Sequence, residues 1–184
     1  MTDTPRIPPL APDEWTDDQR AILERFGADD DVINIFRTLA HHPKLLKRWL
    51  VFGSHIIVSN SVPARERELL ILRTGWRGRA EYEFGQHAVI GRQAGLSDDE
   101  IRAVTRGPDD PSWSDEDALL LVAVDELVDD HRISDATWAG LSERFDTRQL
   151  LDLVFTVGQY TLVSMALNSL GVQLEEGAEG FPDT

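Results

Sequence analysis

The chain has no cysteine among its 184 residues. Disulfides, thiolate nucleophiles, zinc–thiolate centres and dithiol redox cycling are therefore closed to it. Cationic residues are scarce beside acidic ones: 18 Lys and Arg against 33 Asp and Glu, a formal net charge of −15. Phosphate backbones and anionic lipid surfaces are bound through clustered Lys and Arg, so neither nucleic acid nor a membrane is expected as a partner. The excess acid reads as a solubilising surface, with runs such as Asp29-Asp30-Asp31 and Asp109-Asp110 in turns. Met1 to Pro12 holds no apolar signal core, and no segment is expected to reach the length of a transmembrane helix. The expected compartment is the cytoplasm. Sustained period-two alternation is missing as well, which argues against strands.

What is present is helical periodicity. Thr16-Asp17-Asp18-Gln19 reads as a capping box, with a stop at Gly27. A short helix follows from Val32 to Leu39, and Pro43 and Pro63 each suit the first turn of a further helix. The helix from Pro63 should loosen at Gly75-Trp76-Arg77-Gly78. Another runs from about Glu81 to Ala94 and ends at Gly95; Ser97, Ser114, Ser134 and Asp146 or Thr147 open the rest. The last, reaching Gly171, is apolar on more than one side, which predicts burial in the core or in a subunit interface. The expectation is an all-α bundle forming one domain over residues 1–184, with a flexible N-terminal segment (about 1–12) and an acidic, flexible tail (about 175–184).

Three residues stand out chemically. Glu83 and His87 are four apart, on one helical face. Glu68 lies at the edge of the apolar run Leu69-Leu70-Ile71-Leu72 and needs a partner or a task. Imidazole exchanges protons near neutral pH, and a neighbouring carboxylate fixes its tautomer, so His87 is the leading candidate for proton transfer. Glu83 reaches it along the helix, and Glu68 reaches it across a helix pair. The structural alternatives are a core histidine satisfied by a glutamate, a Glu68 paired with Arg65, Arg73 or another Arg, and a Glu83 paired with Arg77 or Arg79. Tyr82 and Gln86 are candidates to line a pocket, and Arg73 is a candidate clamp for a substrate carboxylate. His41, His42 and His55 could join the set as metal ligands, but no His-Glu-x-x-His motif is present and no metal is expected. His131 reads as a surface residue at a helix end. Tyr160 and Asn168, polar groups in an apolar helix, are each expected to find a structural hydrogen bond.

The order Arg65-Glu66-Arg67-Glu68-Leu69-Leu70-Ile71-Leu72-Arg73, Tyr82-Glu83-Phe84-Gly85-Gln86-His87 and Ala94-Gly95-Leu96-Ser97 resembles the carboxymuconolactone decarboxylase family, which shares its fold with the alkylhydroperoxidase D-like proteins. Gly158-Gln159-Tyr160-Thr161 and Ala166 to Val172 resemble the C-terminal half of its cysteine-free branch, so the likeness spans roughly residues 15 to 174. In the redox branch a Cys-x-x-Cys pair stands seven and four residues before the histidine; here those positions hold Ala80 and Glu83. Glu68 and His87 match the acid and histidine of that branch's proton relay. The resemblance implies an alkylhydroperoxidase D-like helical bundle, a homotrimer or homohexamer, and a pocket around the histidine. It also implies a lyase or isomerase acting without a cofactor on a small carboxylated lactone or unsaturated acid. There His87 would donate the proton, Glu68 would be its acid–base partner, and Glu83 would orient it or take the place of a redox cysteine as a proton carrier. The competing expectation is a non-catalytic oligomer that binds a small ligand. A thiol peroxidase lacks its sulfur.

Overall fold

A computed structural model describes residues 4–182. Met1 to Asp3 and Asp183 to Thr184, parts of the two segments expected to be flexible, lie outside the described residues. Nine α-helices form the described chain: α1 (Asp17–Leu23), α2 (Asn34–Leu39), α3 (Pro43–Ser54), α4 (Ala64–Arg77), α5 (Glu81–Gln93), α6 (Asp98–Arg106), α7 (Asp115–Asp129), α8 (Asp135–Arg144) and α9 (Thr147–Leu170). No strand occurs among the described residues.

The helix starts are set by local chemistry. Thr16, Ser97 and Asp146 each close a capping box with the Gln or Glu three residues on, and Ser114 and Ser134 accept from the backbone N–H of Asp117 and Thr137. His42 takes the same role for α3, where its Nδ1 accepts from the N–H of Leu45. The stop at Gly171 is a left-handed residue with φ +68°, which glycine adopts without steric cost.

The central element is α4. From Glu68 to Gly75 every residue is buried, because α5, α7 and α9 pack around it. The helix does not loosen at Gly75 as expected; it continues to Arg77, with Gly78 at its C-cap. One side of α4 joins the main core through Leu69, Leu70 and Leu72, and Ile71 turns towards a second apolar cluster with Tyr82, Tyr160 and Val163. That second cluster, between α3, α5 and α9, is where the site forms.

Three further expectations change. At 24 residues α9 is long and apolar enough to cross a membrane, contrary to the sequence reading. It is instead a core helix, burying Leu153, Val157, Tyr160, Val163 and Leu167 together with Asp152 and Gln159. Nor is it buried all round: Leu151, Phe155, Leu162 and Met165 remain exposed along one side. α3 runs into a π-helical turn, His55–Ser59, which the sequence reading took for ordinary helix. Its end is tied to α9 through Asp152, which accepts from the Ser61 hydroxyl (2.6 Å) and backbone N–H (2.7 Å) and pairs with His55 Nε2 at 3.0 Å.

The described parts of both terminal segments are placed against the bundle. The N–H groups of Arg6 and Ile7 donate to the carbonyl of Leu170 at 2.9 and 3.1 Å. In the tail, Glu175 accepts from Tyr82 Oη (2.7 Å), the Asn34 N–H (2.8 Å) and Gln86 Nε2 (2.5 Å). Phe181 closes the strap by packing edge-on against Trp76 and Phe84, with ring centroids 4.9 and 5.3 Å away.

Candidate active site

Glu68 from α4 and His87 from α5 meet across the helix pair. His87 Nδ1 lies 2.7 Å from Glu68 Oε2. In the tautomer that lets Nδ1–H donate to this oxygen, Nε2 is the ring nitrogen that Glu68 leaves unengaged. Glu68 is fully buried, and its other oxygen accepts from Arg67 Nε at 3.1 Å. Arg67 is in turn anchored on the carbonyl of Ile57 at 3.0 Å. The guanidinium that balances Glu68 is its immediate neighbour in sequence; Arg65 instead holds Asp117 and Glu100.

Glu83 does not orient His87. Although the two share a helical face, the Glu83 carboxyl turns towards α9, where Oε2 accepts from Ser164 Oγ at 3.1 Å. Oε1 is buried without a hydrogen-bond partner among the described residues, packed where a Cβ on Gly75 would lie 3.0 Å away. Neither Arg77 nor Arg79 reaches it: Arg77 pairs with Asp125 and Asp129. Burial, only partly offset by the Ser164 hydrogen bond, pushes the Glu83 carboxyl well above the ordinary carboxylate value. Its surroundings therefore favour the protonated form over the carboxylate.

A cavity of about 320 Å³ opens beside these groups. Its walls are largely apolar, with Ile33, Phe36, Trp49, Ile57 and Val163 among them, and its polar margin includes Glu83, Gln86, His87, Gln159 and Tyr160. The π-helical turn contributes Ile57 and Val58. The Tyr160 ring stands edge-on to the His87 ring with centroids 4.7 Å apart, and no hydrogen bond engages its hydroxyl among the described residues. Burial first, then the nearby Glu68 and Glu83, raise the Tyr160 phenol well above its ordinary value. Tyr160 is thus a neutral donor facing the cavity. This overturns the expectation of a structural hydrogen bond for it; Asn168 does have one, to the carbonyl of Gly78 at 2.7 Å. The signal in the sequence was a phenol and an amide, Tyr160 and Gln159, interrupting an apolar run.

The remaining expectations divide. Tyr82 and Gln86 do line the cavity, but the tail's Glu175 holds both polar ends. Arg73 is not a substrate clamp. It lies on the side of α4 that faces α6 and α7, where its guanidinium makes two bonds to Asp125 (2.8 and 2.7 Å) and one to the carbonyl of Val104 (2.8 Å). The neighbouring histidines do not converge on His87: His41 contacts the carbonyl of Pro8, His42 caps α3 and His55 pairs with Asp152. No group of three or more potential metal ligands occurs among the described residues. His131 is exposed at the end of α7, in the left-handed region with φ +57°.

Comparison with known proteins now adds to this geometry. Residues 43–125 match the Carboxymuconolactone decarboxylase family, a stretch from α3 into α7 that includes Glu68, Glu83 and His87. No curated protein matches the chain in sequence. Among solved structures, the alkylhydroperoxidase AhpD core protein of Ralstonia eutropha JMP134, described as peroxidase-related, aligns with TM-score 0.81 at 19% identity, covering 96% of this chain and 95% of that one. A peroxidase-related protein of Silicibacter sp. TM1040 gives 0.79 at 14% identity, covering 95% of each chain. The debrominase Bmp8, as a Cys-to-Ala variant in complex with 2,3,4-tribromopyrrole, gives 0.73 at 11% identity, covering 95% of this chain and 94% of that one. At such identities the likeness is one of fold. The chain is a cysteine-free, all-helical protein of AhpD-like fold whose residues 43–125 match the carboxymuconolactone decarboxylase family.

Proposed function

We propose that the protein is a lyase or isomerase that works without a cofactor, moving protons at carbon beside the carbonyl of a small unsaturated compound such as a lactone. The observation that carries this reading is the Glu68–His87 pair at 2.7 Å, with His87 on the wall of a largely apolar cavity. His87 Nε2 takes a proton from the carbon next to the carbonyl. The C–H electron pair moves into the carbon skeleton and onto the carbonyl oxygen, giving an enolate. Glu68 stabilises the imidazolium that forms, and Tyr160 or Gln159 donates to the enolate oxygen. Return of the proton to a different carbon completes an isomerisation. Departure of a β-substituent completes an elimination. The carboxylated substrate expected from the sequence had Arg73 as its clamp. With that guanidinium committed to Asp125, the carbonyl is the group this site addresses.

The test is proton NMR in D₂O with small unsaturated lactones, each offered as the acid and as its methyl ester. Wild type should exchange or rearrange at least one of them, and His87→Ala should lose about 10²- to 10⁴-fold in rate. Glu68→Gln should fall in the same direction. Equal rates in wild type and His87→Ala would overturn the reading and leave a non-catalytic ligand-binding protein.

We propose, too, that copies of the chain associate through α9. Leu151, Phe155, Gly158, Leu162 and Met165 are exposed at alternating four- and three-residue spacings, the repeat with which one helix seats against another. Phe52 extends the patch, its ring 6.1 Å from that of Phe155. A second copy is the proposed occupant, since it carries the same apolar stripe and the two can meet about a two-fold axis.

A further inference from the structure

We propose that the cavity beside His87 selects an uncharged, ring-containing molecule that presents a single hydroxyl or carbonyl group, and that it excludes carboxylates. The proposal rests on the proton-transfer reading of the same site and specifies its substrate class.

Three observations lead here. First, neither Lys nor Arg borders the cavity among the described residues. Arg67, the guanidinium behind Glu68, is consumed by that carboxylate and by the carbonyl of Ile57. Arg73 is consumed by Asp125 on another side of α4. An entering carboxylate would give up its hydration against Ile33, Phe36, Trp49 and Val163, with Glu68 and Glu83 as its charged or chargeable neighbours. Glu175, at the ends of Tyr82 and Gln86, adds another acid on the tail side. His87 is the one group nearby that could become cationic, and Glu68 already faces it.

Second, the unengaged polar groups are neutral. The Tyr160 hydroxyl and the Gln159 amide make no hydrogen bond among the described residues, and both residues are more than nine-tenths buried at the cavity wall. A phenol and an amide satisfy one oxygen function of a ligand without demanding charge. Of the other polar lining residues, Gln86 is engaged by Glu175, His87 by Glu68 and Glu83 by Ser164; Ser54 adds one hydroxyl, and the remaining wall offers hydrocarbon and aromatic faces.

Third, burial shifts both the Glu83 carboxyl and the Tyr160 phenol, two groups on the cavity wall, towards their protonated forms. An environment that disfavours their ionisation disfavours a bound anion for the same reason. A flat ring, by contrast, meets Trp49 and Phe36 as partners and loses only weakly held water.

The experiment is calorimetric titration of the full chain at pH 7.5 with 2-naphthol, 2-naphthamide, naphthalene and 2-naphthoate, which share one ring system. Naphthol and naphthamide are expected to bind at least about tenfold more tightly than naphthoate. Tyr160→Phe, which removes one oxygen and keeps the ring, should weaken naphthol about fivefold and leave naphthalene unchanged. Naphthoate binding as tightly as naphthol, or no binding by any neutral member, overturns the proposal. So does a Tyr160→Phe protein with unaltered naphthol affinity. The two readings fail separately. Preference for naphthoate together with His87-dependent exchange would retain the proton transfer and reject the substrate class. Preference for the neutral probes with exchange rates unaffected by His87→Ala would do the reverse.

Discussion

Two carboxyls within one small region are held in opposite ways. Glu68 is given a guanidinium on one oxygen and an imidazole on the other. Glu83 is given one hydroxyl and no second hydrogen-bond partner among the described residues, so burial dominates and favours its protonated form. The two carboxyls are thereby set apart: Glu68 faces His87 Nδ1, and Glu83 lies beside the cavity with its protonated form favoured. This difference also has a consequence for stability. The carboxyl of Glu83 is raised above its ordinary value of 4.5 by folding, so the folded chain keeps a proton that the unfolded chain releases. Its contribution is complete below the ordinary value and is lost as pH rises from there towards the raised one, at up to about 1.4 kcal/mol per pH unit. Glu83→Gln cannot release a proton and lacks this slope. Urea unfolding of both proteins between acid and mildly alkaline pH should show the wild type losing ground steadily to the variant. Parallel curves would mean that Glu83 is ionised in the folded chain.

At the scale of elements, α5 carries the site on one face and the tail on another. Gly85 is where they conflict with any larger residue, because a Cβ there would stand 2.1 Å from the backbone carbonyl oxygen of Glu179. In an open helix, replacing glycine by alanine gains up to about 1 kcal/mol. Here the gain is reversed, since backbone rather than a flexible side chain must move. Gly85→Ala is expected to lose about 1–3 kcal/mol and to speed amide exchange across residues 173–182, as the strap lifts with Phe181 and Glu175. Hydrogen-exchange mass spectrometry reads both. A more stable variant with unchanged protection of that segment would show that the tail does not rest on α5. The π-helical turn after α3 is the other element with a specific task. It puts Ile57 and Val58 on the cavity wall, while His55 and Ser61 hold its ends to Asp152.

For the whole molecule, α9 is the element with two unlike faces. Its buried face supplies Gln159, Tyr160 and Ser164 to the site, and its exposed face is the proposed contact between copies. Separating the two is possible because they lie on opposite sides of one helix. Leu162→Glu should lower the sedimenting mass at micromolar concentration and leave the far-ultraviolet helix signal intact. A monomeric wild type, or an unchanged mass in the variant, would remove the association proposal and leave the cavity argument standing.

Helix starts and stops were readable from the chain because capping is a matter of three or four neighbouring residues: Thr16 with Gln19, Ser97 with Glu100, Asp146 with Gln149. The pairing of Glu68 with His87 was readable as one of several options, since the motif order placed both on adjoining helices. Partner choice was not. Glu83 preferred Ser164 to His87, Arg73 went to Asp125 and Arg67 took Glu68, each decided by where helices far apart in sequence cross. Tyr160 became a cavity donor for the same reason: the periodicity of α9 says which side of the helix it occupies, and only the packing of α3, α5 and α9 leaves a hollow in front of it.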